Sequence, residues 1–289
     1  MEEPDFTSLN EGVVAVVGLG LMGGSLALAL REHCRVLLGA DPDPAALAFA
    51  LDRHIVDRAV TFDGALAADW LILAAPVRTI LSQLGELAQL PPPSHPVIVL
   101  DLGSTKAEIV AAMQALPACY GPIGGHPMCG KEVSGIAHAE AGLFRDKVFV
   151  LTPLERAPAS VLAHALTLVD AIGARACVLR AEQQDVLAAA GSHLPYAAAA
   201  MLVRAAEGLH DDQVWEMAAS GFRDTSRLAA SDVTMMTDIL LTNRGAIIDA
   251  LERYRVELDG LLALLESGDG DALASFLSTA ARRRRGLFL

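Results

Sequence analysis

Five apolar residues, Val13-Val14-Ala15-Val16-Val17, run directly into Gly18-Leu19-Gly20-Leu21-Met22-Gly23. An unbroken β-branched run of this kind suits a strand buried on both faces of a parallel sheet. A GxGxxG turn placed between such a strand and a helix permits few folds. Gly18 allows the tight turn, Gly20 lets a pyrophosphate approach the backbone, and Gly23 lets the helix pack closely on the strand. Leu19, Leu21 and Met22 supply the rest of the loop backbone, and the helix N-terminus offers free N–H groups to an anion. The stretch from Val13 to Leu30 carries no charge and has nearly the length of a membrane span. Its glycines and its β-branched start favour strand, turn and helix instead.

Strand and helix patterns then alternate. Strands are expected at 35–39, 70–74 and 97–100, with helices at 22–31, 44–51, 79–88 and 105–116 and a late edge strand at 147–151. This order implies an α/β domain with a doubly wound parallel sheet of the Rossmann type. Beyond Thr152-Pro153 the periodicity is almost entirely helical, over 159–172, 181–209, 211–219, 232–241, 243–266 and 271–284. Only 175–179 resembles a strand. Pro195 should kink or divide the long 181–209 segment. The expected organisation is therefore a dinucleotide-binding domain at 1–153 and an all-α domain at 154–289.

With a net charge of −13, the chain is a poor partner for nucleic acid, and an anionic ligand needs local cations or helix N-termini. The basic run Arg282–Arg285 suits the solvated end of a last helix. The cysteines Cys34, Cys119, Cys129 and Cys177 show no metal-binding spacing, so no metal is expected and a reducing, cytoplasmic compartment fits. The acidic start Met1-Glu2-Glu3-Pro4-Asp5 is unlike a secretory signal.

Asp41 closes the second strand. A carboxylate there can accept hydrogen bonds from both adenosine ribose hydroxyls and repels the extra phosphate of NADP, so NAD is the expected cofactor. The competing role, capping the helix at Pro44, suits Asp43 better. His126 stands in Gly124-Gly125-His126-Pro127-Met128-Cys129-Gly130, expected to be a loop beside the strand ends, with a side chain suited to proton transfer near neutrality. Ser104, in Asp101-Leu102-Gly103-Ser104-Thr105-Lys106, is expected at a helix start, as an N-cap and close to the nicotinamide end of the crevice. In the helical half, Ser192, His193 and Tyr196 cluster around Pro195. Arg223 and Arg227 could hold a carboxylate or make surface ion pairs.

Together, VVGLGLMGGSLALAL, AAPVRTI, DLGSTK, GGHPMCGKEVSG, SHLPY and GFRDTSRLAASD resemble the prephenate and arogenate (cyclohexadienyl) dehydrogenase family of tyrosine biosynthesis, in the family's order over residues 13–243. The resemblance implies NAD-dependent oxidative decarboxylation of a cyclohexadiene carbinol, either prephenate or arogenate. It implies that His126 accepts the ring hydroxyl proton, that Ser104 orients that hydroxyl and the nicotinamide, and that Glu132 belongs to the active-site network. Arg223 would bind a substrate carboxylate, with Ser192, His193 and Tyr196 lining the pocket. Ala75 and Pro76 would join the glycine loop and Asp41 around the cofactor, and the helical domain would form a homodimer. Three departures stand out: Tyr196 where the family often has histidine, Gln183-Gln184-Asp185 where it often reads Glu-His-Asp, and Val233 and Met236 where it usually has proline and tryptophan. With the sequence ending at Leu289, any feedback by tyrosine would act at the substrate site.

Two other functions fit the glycine loop. A 3-hydroxyacid dehydrogenase or imine reductase often uses a lysine in its helical domain, but Lys147 is the last lysine here. A non-catalytic NAD-binding dimer would have no need of His126, Ser104 and Arg223 together.

Overall fold

The computed structural model describes residues 4–131 and 133–287, in two units, Met1–Arg244 and Gly245–Leu289. The first is built on a sheet whose strands are β1 (Val13–Val17), β2 (Val36–Ala40), β3 (Arg58–Ala59), β4 (Trp70–Leu73), β5 (Val97–Asp101), β6 (Tyr120–Pro127), β7 (Val148–Pro153) and β8 (Arg175–Val178). Their spatial order is β3-β2-β1-β4-β5-β6-β7-β8. Every neighbouring pair is parallel except β6 with β7. The helices α1 (Leu21–Leu30), α2 (Pro44–Asp52), α3 (Phe62–Ala65), α4 (Val77–Leu87), α5 (Ala107–Met113) and α6 (Ala159–Ala171) alternate with the strands.

The alternation of side chains in the central strands fills two cores. Val14, Val16, Trp70 and Ile72 face a layer containing Leu26, Phe149 and Leu168. Ala15, Val17, Leu71 and Leu73 face the opposite layer with Ile80, Leu84 and Ile109. Both faces are therefore covered, which is why the strands are apolar throughout. The doubly wound sheet expected from the sequence is the observed one.

Three features differ from the sequence expectation. Residues 120–127, with two prolines and three glycines around His126, form β6 and not a loop. Their glycines answer to close packing: a Cβ on Gly121 would meet the Phe6 ring, and one on Gly125 would meet the Asp101 carbonyl. The strand at 148–153 is interior, because β8 adds beyond it. The break expected after residue 153 also falls short of the end of the sheet. Val161, Ala165, Leu168 and Val169 of α6 join the core beneath the strands, and β8 pairs with β7.

Beyond the sheet follow α7 (Ala181–Ala188), a π-helical turn (Ala189–His193), α8 (Leu194–Glu207), α9 (Gln213–Met217), α10 (Ser220–Ser226) and α11 (Val233–Thr242). The expected division at Pro195 is realised as the π turn just before it. Proline lacks an N–H and crowds the preceding turn, and the wider turn absorbs both. The run Ala181–Glu207 is long and apolar enough to cross a membrane by length and composition. Its Gln184, Asp185 and His193 are nevertheless buried. The second unit carries α12 (Arg244–Ser267), which begins at the last residue of the first unit, and α13 (Gly270–Leu287). Gly268 turns the chain with φ +66, and the Asp269 carboxylate caps α13 at the Ala272 N–H, 3.0 Å away. The arginines 282–285 are exposed on α13.

The turn from β1 to α1 shows why its glycines are not equivalent. Gly18 has φ +96, and a Cβ there would collide with the Ala74 carbonyl. A Cβ on Gly23 would overlap the Gly18 carbonyl, whereas one on Gly20 meets nothing within 4 Å. Gly23→Ala should therefore lower stability by about 1–3 kcal/mol in urea denaturation. Gly20→Ala should leave stability within about 0.5 kcal/mol, since nothing in the protein opposes it.

Candidate active site

Because β1, β2, β4, β5 and β6 run parallel, everything that follows their C-terminal ends gathers at one edge of the sheet. The glycine loop follows β1, Asp41 follows β2, Ala75 and Pro76 follow β4, and Ser104 follows β5. His126 lies near the C-terminal end of β6. In open sheets of this kind ligands bind outside these strand ends, where the strand order reverses, here between β1 and β4.

The glycine loop fits a dinucleotide. No side chain caps α1 and no acidic residue stands in its first turn, so its N-terminal N–H groups remain available to a phosphate. The open space at Gly20 is where a pyrophosphate would rest. Asp41 accepts from the Leu19 N–H at 2.6 Å and the Asp43 N–H at 2.8 Å, tying the end of β2 to the loop. Its oxygens retain lone pairs for ribose hydroxyls. Asp43, not Asp41, caps α2, accepting from the Ala45 N–H at 2.9 Å.

Beneath the chemical part of the crevice lies an ion pair with both side chains fully buried, Lys106 Nζ with Asp101. Burial works against charge on both partners, pushing Asp101 up and Lys106 down, while each holds the other's charge in place. Asp101 also accepts from the Gly103 N–H at 2.7 Å and the Gly125 N–H at 3.0 Å. One carboxylate thereby sets both the connection carrying Ser104 and the residue before His126. Ser104 is half-buried and does not cap α5, which begins only at Ala107 with no side-chain cap from its own segment. Asp185 of α7 takes that role, accepting from the Lys106 and Ala107 N–H groups at 2.7 and 2.8 Å.

His126 is buried, and its Nδ1 lies 3.0 Å from Nε2 of Gln184. The same Gln184 nitrogen donates to the Ser104 carbonyl at 3.3 Å. Desolvation first, then the Lys106 charge, lower the His126 pKa to about 3, so the ring is neutral across the physiological range. His193, in the π turn, is buried with its pKa lowered to about 4 by desolvation. Its Nδ1 faces Asn243 Nδ2 at 3.2 Å, and that amide donates to the Asp185 carbonyl at 2.8 Å. Helix α11 is tied to the same edge: Thr105 and Thr242 hydroxyls lie 2.9 Å apart, and Asp238 accepts from the Arg78 N–H at 3.3 Å.

The fold thus brings Ser104, His126 and His193 into one hydrogen-bonded region. Ser192 is exposed and Tyr196 half-buried on the same helical run. Arg223 is exposed on α10, which packs on α8 but makes no hydrogen bond to this region among the described residues. Glu132 lies outside the described residues. Asp101, Lys106, Gln184, Asp185 and Asn243 were not assigned from sequence. The signal for the first two was visible, as opposite charges bracketing a short Leu-Gly-Ser-Thr segment after an apolar strand; Asn243 offered none.

Lys106→Met should lower stability by about 3–5 kcal/mol at neutral pH, because Asp101 is left buried and unpaired. The folded-state pKa of Asp101 then rises further above its unfolded value, so the variant gains stability relative to the parent as pH falls. Urea denaturation at pH 7 and pH 5 should show the deficit narrowing at the lower pH.

Two family models match the chain. One, described as the prephenate dehydrogenase nucleotide-binding domain, covers residues 26–178, and one described as the prephenate dehydrogenase dimerization domain covers residues 180–279. Prephenate dehydrogenase of Bacillus subtilis is 34% identical over 283 residues, covering 95% of this chain and 76% of that protein. Cyclohexadienyl dehydrogenase of Zymomonas mobilis is 29% identical, with 95% of each chain covered. Among solved structures, A. aeolicus prephenate dehydrogenase in complex with hydroxyphenyl propionate and NAD+ superposes with a TM-score of 0.90 at 28% identity, covering 97% of this chain and all of that one. Synechocystis arogenate dehydrogenase gives a TM-score of 0.80 at 32% identity, covering 95% and 99%. With the two family models together matching most of the chain and a relative 34% identical over 95% of it, this chain is a member of the prephenate dehydrogenase family.

Proposed function

We propose that the chain oxidatively decarboxylates prephenate to 4-hydroxyphenylpyruvate, using NAD. The observation that carries this reading is His126, buried and neutral at the end of β6, beside the strand ends where a nicotinamide fold binds its ligand. A neutral imidazole there can receive the proton of a ring hydroxyl. NAD supplies the hydride acceptor when bound. As the hydroxyl proton passes to His126, the carbinol C–H electrons leave as hydride. The electrons of the bond to the ring carboxylate then enter the ring, releasing carbon dioxide and making it aromatic. Ser104 orients the hydroxyl, and Glu132 is assigned to the same network. Arg223 pairs with a substrate carboxylate through its planar fork. Ser192, His193 and Tyr196 line the side-chain end of the pocket.

Asp41 favours NAD over NADP, because its carboxylate would repel the extra phosphate on the adenosine ribose of NADP. Gly18 to Gly23, Ala75 and Pro76 complete the cofactor site. Arogenate is the second substrate reading, favoured by the similarity to the Synechocystis arogenate dehydrogenase. The helical part, 154–289 on the sequence reading, would supply substrate contacts and the homodimer interface, a reading supported by the dimerization-domain match. The four cysteines are free, which suits a reducing cytoplasm.

Purified protein supplied with NAD and either prephenate or arogenate should generate NADH absorbance. NAD binding without turnover of either compound would overturn the enzyme reading, and the ratio of the two kcat/KM values assigns the substrate. His126→Asn should lower kcat by about 10²–10⁴-fold while the NAD Kd stays within about twofold. Arg223→Ala should raise KM by about tenfold or more with a smaller effect on kcat; an unchanged KM removes Arg223 from the pocket.

A further inference from the structure

Gln184 is 2% exposed, and its carboxamide is the one hydrogen-bond partner of the His126 ring among the described residues. Its nitrogen faces both His126 Nδ1, at 3.0 Å, and the Ser104 carbonyl, at 3.3 Å, while Oε1 is buried without a partner. In this orientation both amide N–H groups are used and the acceptor alone is idle.

The arrangement also has a consequence for proton transfer. With an N–H directed at Nδ1, that ring nitrogen must accept, and the neutral imidazole carries its proton on Nε2. A ring in this tautomer offers the substrate hydroxyl a donor and has no free Nε2 lone pair to take its proton. A protonated ring would set Nδ1–H against the amide N–H. Turning the carboxamide by 180° exchanges oxygen and nitrogen within nearly the same shape. Oε1 then accepts from Nδ1–H, Nε2 becomes the free base, and the imidazolium formed on proton transfer keeps its Nδ1–H bonded. The turn satisfies the idle acceptor but gives up the contact to Ser104 and leaves the amide N–H groups without a protein partner, a cost that the bond from Nδ1–H must offset.

We propose that Gln184 is a positioning residue that determines which nitrogen of His126 carries the proton, presenting its carboxamide oxygen to Nδ1–H so that Nε2 is free to accept. This rests on the reading of His126 as proton acceptor. No other neighbour can take the role. Lys106, from the connection between β5 and α5, and His193, from the π turn, both disfavour a cation on the ring. Asp101 is committed to Lys106, Gly103 and Gly125, Asp185 accepts from the Lys106 and Ala107 N–H groups, and β7 places Val150 opposite His126.

The test is the ring nitrogen spectrum of the full chain labelled with 15N-histidine, with NAD added, alongside steady-state kinetics. His126 is identified by the resonance missing in His126→Asn. The parent protein should show a protonated-type Nδ1 and a pyridine-type Nε2. Gln184→Glu should hold the same tautomer and stabilise the imidazolium, raising the His126 pKa and the acid limb of the kcat/KM profile together by about one pH unit or more. Gln184→Met should shift the proton towards Nε2 and lower kcat by about tenfold or more, with KM within about twofold. A parent spectrum with the proton on Nε2, or a methionine variant that keeps both tautomer and kcat, would overturn the proposal. The parent spectrum does not depend on turnover, so an inactive enzyme with Nδ1–H overturns the reaction proposed above while supporting the role of Gln184.

Discussion

The buried contact between Lys106 and Asp101 organises the chemical half of the crevice. Two charges removed from water are stable only if they meet and if their remaining valences are filled. Asp101 fills its own with the N–H groups of Gly103 and Gly125, and the Lys106 backbone N–H is taken by Asp185. The ends of β5 and β6, the start of α5 and the middle of α7 are thereby drawn to one point. Gly124 of β6 follows from the same contact. A Cβ on Gly124 would press on the Lys106 stem at 3.1 Å. His126 inherits its position from this packing, and its neutrality from burial beside a lysine.

The helical segment after the sheet completes what the strand ends begin. Gln184 and Asp185 reach back from α7 to β6 and α5, and Asn243 links Asp185 to His193. The π turn sits between these contacts. Pro195 makes a regular helix unfavourable there, and the wider turn carries the buried His193 beside the exposed Ser192. Polar groups this deep are satisfied by one another, so substitutions among them act on geometry several residues away.

The two halves of the crevice use different physics. At the glycine loop, the uncapped N–H groups of α1 and the open space around Gly20 leave room for an anion. Around His126, buried side chains set protonation states. That division explains why the glycine loop can be assigned from its local pattern while the surroundings of His126 cannot.

The sequence by itself determined the elements whose signal is local. The turn after β1 is readable because Gly18 and Gly23 answer to contacts within a few residues or to the strand beside them, and β1, β4 and β5 are readable because burial on both faces leaves them almost wholly apolar. His126 stood out by composition. Tertiary structure alone decided that its glycine- and proline-rich surroundings form β6, since β-pairing with β5 and β7 overrides the weak strand propensity of those residues. It alone extended the sheet to β8, gave Ser104's expected capping role to Asp185, and set Gln184 against the His126 ring. These contacts join residues far apart in the chain, and no local period records which distant polar group will meet another once both are buried.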